Sequence, residues 1–263
     1  MNVLYKYCDQ LGIVKISGSL ELKLPYISQV NDPLECKPVF YCPNDKAAME
    51  EQWLRTFKRK GISPPADWKH KLNELYETGE LRKKLEEGMW DVISELNQRS
   101  CLLSVSKTAN NPVMWAHYAE THKGAVIGID FDKLFKMHRV NYSEDRPKIN
   151  ILPEYTLEKA LEIPRTKSFA WSYEKEFRMV FDDASLMYWA QQGLMCLRDF
   201  NGKKIWFLRL NPELIREVVF GLYTEESSKS AIRKLIERPE LQHVKLHQAE
   251  ESKTYILNLK ECN

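Results

Sequence analysis

The stretch "WSYEKEFRMV", Trp171 to Val180, puts two glutamates two residues apart in a run that alternates like a β-strand. In a strand, residues i and i+2 point to the same side. Ser172, Glu174, Glu176, Arg178 and Val180 then share one face. Trp171, Tyr173, Lys175, Phe177 and Met179 share the other, more apolar one, which is expected to meet the core. The polar face would hold two like charges about 7 Å apart by strand geometry. Like charges raise each other's pKa, and Arg178 opposes that. Such a face is either solvated, with an ordinary Arg–Glu pair, or it aims two carboxylates at a ligand.

Working outward, "CLLSVSK" (101–107) reads as a second strand in which Ser104 and Ser106 share a face opposite Leu103 and Val105. "NVLYKYC" (2–8), "SLELKLPYIS" (19–28), "AVIGIDF" (125–131), "RPKINIL" (146–152), "FAWSYEKEFRMVF" (169–181), "KKIWFLRL" (203–210) and "IREVVFGLY" (215–223) have strand character. "VKLHQAEE" and "TYILNLK" are expected to form a closing hairpin. The alternation in 19–24, 101–106 and 171–180 implies one continuous sheet. "NNPVMWAHYAETHKG" (110–124) opens with a turn and Pro112 and reads as a short helix closed by Gly124. Helices are also expected over 155–163, stopping before Pro164, and over 225–237.

From Asp45 to Arg99 the composition shifts to helical spacing, with glutamates and lysines at i, i+4. We read 45–99 as a helical insertion or subdomain within a single domain spanning 1–263. Strands and helices do not alternate regularly, which disfavours a doubly wound parallel sheet. The expectation is an α+β fold with a mainly antiparallel sheet.

Composition sets limits. The chain has 263 residues and a net charge of +2, so its overall field points to no nucleic acid. Lysines and arginines such as Lys58, Arg59 and Lys60 are the sole support for nucleic-acid processing, which ranks last. No apolar run approaches the roughly 20 residues of a membrane span. The start, "MNVLYKYCDQLG", lacks the pattern of a signal peptide. Six scattered cysteines without a CxxC pair fit free thiols in a reducing cytoplasm. His117 and His122 are five apart and form no H-E-x-x-H zinc pattern, so no metal is expected. Walker, G-x-G-x-x-G and G-x-S-x-G motifs are absent, which disfavours P-loop kinases, Rossmann dehydrogenases and α/β-hydrolases. Trp115, His117 and Tyr118 cluster as such residues do around small-molecule pockets.

Five stretches together, "LYKY" (4–7), "NDPLE" (31–35), "MWAHYAETHKG" (114–124), "SYEKEFR" (172–178) and "IREVVFG" (215–221), resemble the bacterial domain-of-unknown-function family 2971. Members continue "YKY" with Arg, where this chain has Cys8. The order of elements is also similar to that of ADP-ribosyltransferases of the Arg–Ser–Glu type. Those place an Arg or His on the first strand, S-x-S on a middle strand and E-x-E on a later one. Here the matching positions are Tyr5 and Lys6, Ser104 and Ser106, and Glu174 and Glu176. Lys6 would replace the first-strand Arg or His, a point charge in place of a planar fork.

The resemblance implies a split sheet and a reaction that consumes NAD, by transfer of ADP-ribose to an acceptor (protein or nucleic acid) or by hydrolysis. It makes Glu176 the carboxylate that meets the ribose cation and Glu174 the one that orients the acceptor. Tyr5, Lys6, Ser104, Ser106, Trp115, His117, Tyr118 and Arg178 would hold the nucleotide. Serines would position the ribose and carboxamide, and Trp115 or Tyr118 would stack on the nicotinamide ring. The competing expectation is a non-enzymatic binding or regulatory protein in which Glu174, Glu176 and Arg178 form a structural network.

Overall fold

The computed structural model describes residues 3–152 and 157–262. It falls into two compact units. The first takes the chain up to Tyr26, then Ser100–Tyr142 and everything from Phe169 onward; the second takes Ile27–Arg99 and Ser143–Ser168.

The first unit is built on an eight-stranded sheet. Across it run Asn258–Cys262, Lys245–Glu250, Ile215–Phe220, Ala125–Asp130, Val3–Cys8, Cys101–Ser106, Glu176–Phe181 and His138–Arg139. Neighbours are antiparallel, except that Ile215–Phe220 and Lys245–Glu250 run parallel. Val3–Cys8 pairs with Ala125–Asp130 along its whole length. With Cys101–Ser106 it shares one pair of partners, Tyr5 opposite Ser106. Among the described residues, the two halves of the sheet thus share a single backbone-paired position.

Alternation of side chains gives the sheet two covered faces. On one, Leu4, Leu103, Val105, Ile127, Phe181 and Phe220 join a core that continues into helices Asp183–Gln191 and Glu226–Ile236 through Leu186 and Ile232. On the other, Tyr7, Val126 and Val219 pack with Trp115 and Ala119 of the 112–124 segment.

Several expectations change here. Glu21–Leu24 belongs to a separate three-stranded sheet with Met195–Phe200 and Lys203–Arg209. Its apolar alternation reports a buried face and says nothing about which strand lies alongside. One bridge, Tyr26 to Cys101, links this part of the chain back to the main sheet. Two helices escaped the sequence reading. Gln10–Ser19 is capped by Asp9, and Asp183–Gln191 by Asp182, whose carboxylate accepts from the Ser185 N–H at 2.9 Å. The expected helix over 155–163 runs from Leu157 through Pro164 to Arg165; residues 155 and 156 lie outside the described residues. Proline near the last turn costs one terminal backbone bond and does not end the helix.

The segment 110–124 forms a helix over Pro112–Tyr118, with Asn111 accepting from the Val113 N–H at 2.9 Å and Pro112 in the first turn. Gly124 is not its stop. The chain leaves through Glu120, Thr121 and His122, all at positive φ. Gly124 is needed for close approach: a Cβ there would lie 2.0 Å from the Cys8 carbonyl oxygen.

The second unit holds helices Lys46–Arg59, Trp68–Glu77, Glu80–Arg99 and Leu157–Arg165, and a parallel two-stranded ribbon of Val39–Tyr41 and Lys148–Asn150. The helices of 45–99 thus keep company with 27–44 and 143–168. Met49, Leu72, Leu81, Leu85, Ile93 and Phe40 are buried there, and the Phe40 ring meets Trp90 edge-on at 5.2 Å. No helix among the described residues is long and apolar enough to cross a membrane. The protein is a mixed helix-and-sheet fold with a large, mainly antiparallel sheet.

Candidate functional site

Sheet register brings the singled-out residues together. Tyr5 lies opposite Ser106, Ser106 opposite Glu176, and Ser104 opposite Arg178. Residues directly opposite in antiparallel strands share a face. Tyr5, Ser104, Ser106, Glu176 and Arg178 therefore line one side of three adjoining strands, the side covered by the 112–124 segment. Lys6 leaves its strand on the other side, and its ammonium donates to the Ser104 carbonyl at 2.9 Å. Burial lowers the Lys6 pKa, partly opposed by the nearby Cys8 and Glu176. The Tyr5 hydroxyl turns away from the glutamates and donates to Glu217 Oε1 at 2.8 Å.

Glu174 and Glu176 are not neighbours on one strand. Phe169–Glu174 is a 3₁₀ helix, and the strand begins at Glu176. Between them Lys175 takes φ +46°, and its N–H closes a turn on the Ser172 carbonyl. A left-handed residue resets the direction of the chain, so the i, i+2 rule does not connect the two carboxylates. Trp171 and Tyr173 likewise leave the expected core face, whereas Phe177 and Met179 do pack against the main core.

Nor is the polar face wet. Glu174 is 3% exposed, Glu176 4% and Arg178 2%. Arg178 forks onto Glu176, Nε to Oε1 at 2.7 Å and Nη2 to Oε2 at 2.9 Å. The Glu176 N–H donates to the Tyr142 hydroxyl at 2.8 Å. Glu174 Oε1 accepts from the Tyr118 hydroxyl at 2.6 Å, and its backbone carbonyl accepts from Ser106 Oγ, also at 2.6 Å. Both carboxyl groups are buried, and each is met by a donor.

The helix end and the 3₁₀ turn are stitched together. Asn111 Nδ2 donates to the Tyr173 carbonyl at 2.9 Å, and the Tyr173 hydroxyl lies 3.3 Å from His117 Nδ1. His117 is exposed and its ring contacts Tyr118, Trp171 and Tyr173, with centroids 6.0–6.2 Å apart. Trp115, expected to stack on a ligand, is instead a core residue. It is fully buried, its indole N–H donates to the Ala109 carbonyl at 2.7 Å, and Tyr7 and His122 occupy its edges and face. A helix this short buries one side completely, and Trp115 is on that side.

Sequence reasoning missed Tyr142, Glu217 and the pair Trp171 and Tyr173 as members of the neighbourhood. Glu217 arrives through pairing across the sheet and Tyr142 through its hydroxyl on the Glu176 N–H, and neither has a local sequence pattern. The two aromatics were visible but were assigned to a strand face.

A family model described as "Protein of unknown function (DUF2971)" matches residues 114–179, which span the helix, the aromatic turn and the Glu176–Arg178 strand. No curated protein and no solved structure matches the chain.

Proposed function

We propose that the protein consumes NAD, as an ADP-ribosyltransferase or NAD glycohydrolase, at the corner formed by Ser106, Glu174, Glu176 and Tyr118. One observation carries the reading: residues 68 positions apart in the chain meet in the Ser106–Glu174 hydrogen bond, beside the backbone-paired position that the two halves of the sheet share. The nicotinamide of NAD is a cationic aromatic ring. His117, Tyr118, Trp171 and Tyr173 supply an aromatic rim suited to such a ring.

In the reaction the bond between the ribose C1′ and the nicotinamide nitrogen breaks, and its electron pair leaves with nicotinamide. Oxygen of water or of an acceptor hydroxyl bonds to C1′, and its proton passes to a carboxylate. Fixed negative charge lowers the barrier to the oxocarbenium-like transition state. Glu176 meets that charge, and Arg178 sets its orientation through the bidentate pair. Glu174, oriented by Tyr118, serves the acceptor.

The test is release of free nicotinamide from NAD. Glu176→Gln is expected to lower turnover by about 10²–10³, the scale for losing one preorganised group. Glu174→Gln is expected to spare hydrolysis and suppress transfer. Absence of nicotinamide release by the wild type, with or without candidate protein or nucleic-acid acceptors, rejects the proposal.

A second reading has its own support. Arg178 neutralises Glu176 inside the fold, as expected of a binding or regulatory protein that uses the pair as a clamp. It predicts that Glu176→Gln and Arg178→Met lose stability together, with no NAD chemistry to lose.

A further inference from the structure

The second unit holds a cavity of about 360 Å³ between helices Lys46–Arg59 and Glu80–Arg99. We infer that it binds a small amphipathic anion, an apolar body of medium-chain length carrying a carboxylate or phosphate head. This site is independent of the corner around Glu174 and Glu176.

Its walls combine apolar side chains with polar ones, Gln52 and Thr56 among them. Leu85, Met89 and Val92 recur at helical spacing on one side, and Trp53 closes the other, its ring edge-on to Phe57 at 5.7 Å. Charge at the cavity has one sign. Arg55, Arg59 and Lys84 line it, and no carboxylate does. Arg55 also pairs with Glu51 at 2.8 Å, but Glu51 is two-thirds exposed, and such an i, i+4 surface pair is weak enough to yield its guanidinium to a ligand.

Gly88 is the most informative residue. It sits in the interior of a 20-residue helix and lines the cavity. Gly is the poorest helix former after Pro. A close approach or a left-handed φ would justify it, yet a Cβ built at Gly88 meets nothing within 4 Å. The fold does not require glycine here. What glycine does is leave the space open, and a cavity of this size falls within the range of small-molecule pockets.

The probes are decanoate and decanol, titrated calorimetrically into the full chain. Decanoate is expected to bind, more weakly as salt rises, and at least about tenfold more tightly than decanol, the scale of one charge-assisted contact. Gly88→Leu should abolish binding with the melting temperature unchanged or raised. Arg59→Gln combined with Lys84→Gln, both solvent-exposed, should weaken decanoate about tenfold and leave decanol unchanged. If Gly88→Leu does not fold, the charge variant decides alone. No decanoate binding by the wild type, equal affinity for decanol, or undiminished binding by a folded Gly88→Leu protein would overturn the inference.

Discussion

Each compact unit buries an ion pair, and the two pairs are built differently. In the first unit, Arg178 and Glu176 lie two residues apart on one strand and meet through two short hydrogen bonds. In the second, Lys167 Nζ and Glu35 Oε2 come from distant parts of the sequence and stand 3.6 Å apart. All four side chains are at most 5% exposed. Both pairs carry the same desolvation cost in kind. Only the guanidinium presents a planar fork that matches a carboxylate, whereas an ammonium is a point charge that adjusts or loses its proton. The first pair is thus set for fixed orientation, and the second for tolerance.

The largest expected effect tests that contrast directly. Arg178→Met strands a buried carboxylate and is expected to cost about 3–5 kcal/mol in chemical denaturation, while Arg178→Met with Glu176→Met returns most of it. Next, Lys167→Met should cost less, about 1–3 kcal/mol, because it removes one 3.6 Å contact where Arg178→Met removes two short hydrogen bonds. Equal losses for Arg178→Met and Lys167→Met would erase the distinction between fork and point charge.

An effect of similar size separates the two glutamates of the first unit. Tyr118→Phe removes the donor to Glu174 and is expected to cost about 1.5–3 kcal/mol, the range for a hydrogen bond to a charged group. The melting temperature of Tyr118→Phe should therefore fall less than that of Arg178→Met. A larger fall would make Glu174, not Glu176, the anchor of the corner.

The last effect lies at alkaline pH. Burial pushes the Cys8 and Cys101 thiols of the first unit up to about 12, and Cys42 of the second up to about 11, from an ordinary value of 9.0. A folded pKa above the unfolded one gives stability that is complete below pH 9.0 and is lost as pH rises toward the folded value. Unfolding free energy should decline from pH 9 upward, with the Cys42 contribution exhausted by about pH 11 and those of Cys8 and Cys101 by about pH 12. Cys8→Ala should flatten the decline up to about pH 12, and Cys42→Ala only that below about pH 11. A decline unchanged in both variants would assign it to other groups, Tyr5 and Tyr7 first, whose pKa values burial also raises.

Much of the fold was legible. The strands at 3–8, 101–106, 125–130, 203–209 and 215–220 announce themselves through β-rich apolar runs, and the 45–99 helices through their periodicity. The missed helix at Gln10–Ser19 had an Asp cap in plain view but little polar–apolar alternation behind it. The 3₁₀ turn at Phe169–Glu174 was hidden because aromatic, strand-forming residues make it up, and one positive φ at Lys175 overrides their propensity.

The candidate site divides along the same line. Residue type and order were enough to single out Ser106, Glu174, Glu176, Arg178 and Tyr118, because charge and hydroxyl groups in an otherwise strand-like run stand out in one dimension. Whether Glu176 faces water or Arg178, whether Trp115 offers its ring or spends it on the core, and whether Tyr5 turns to Glu176 or Glu217 depend on register. Register is set by partners up to 212 residues away. A chain's local pattern encodes which side chains are polar, but the desolvation cost that selects their partners exists only once other strands and helices have closed over them.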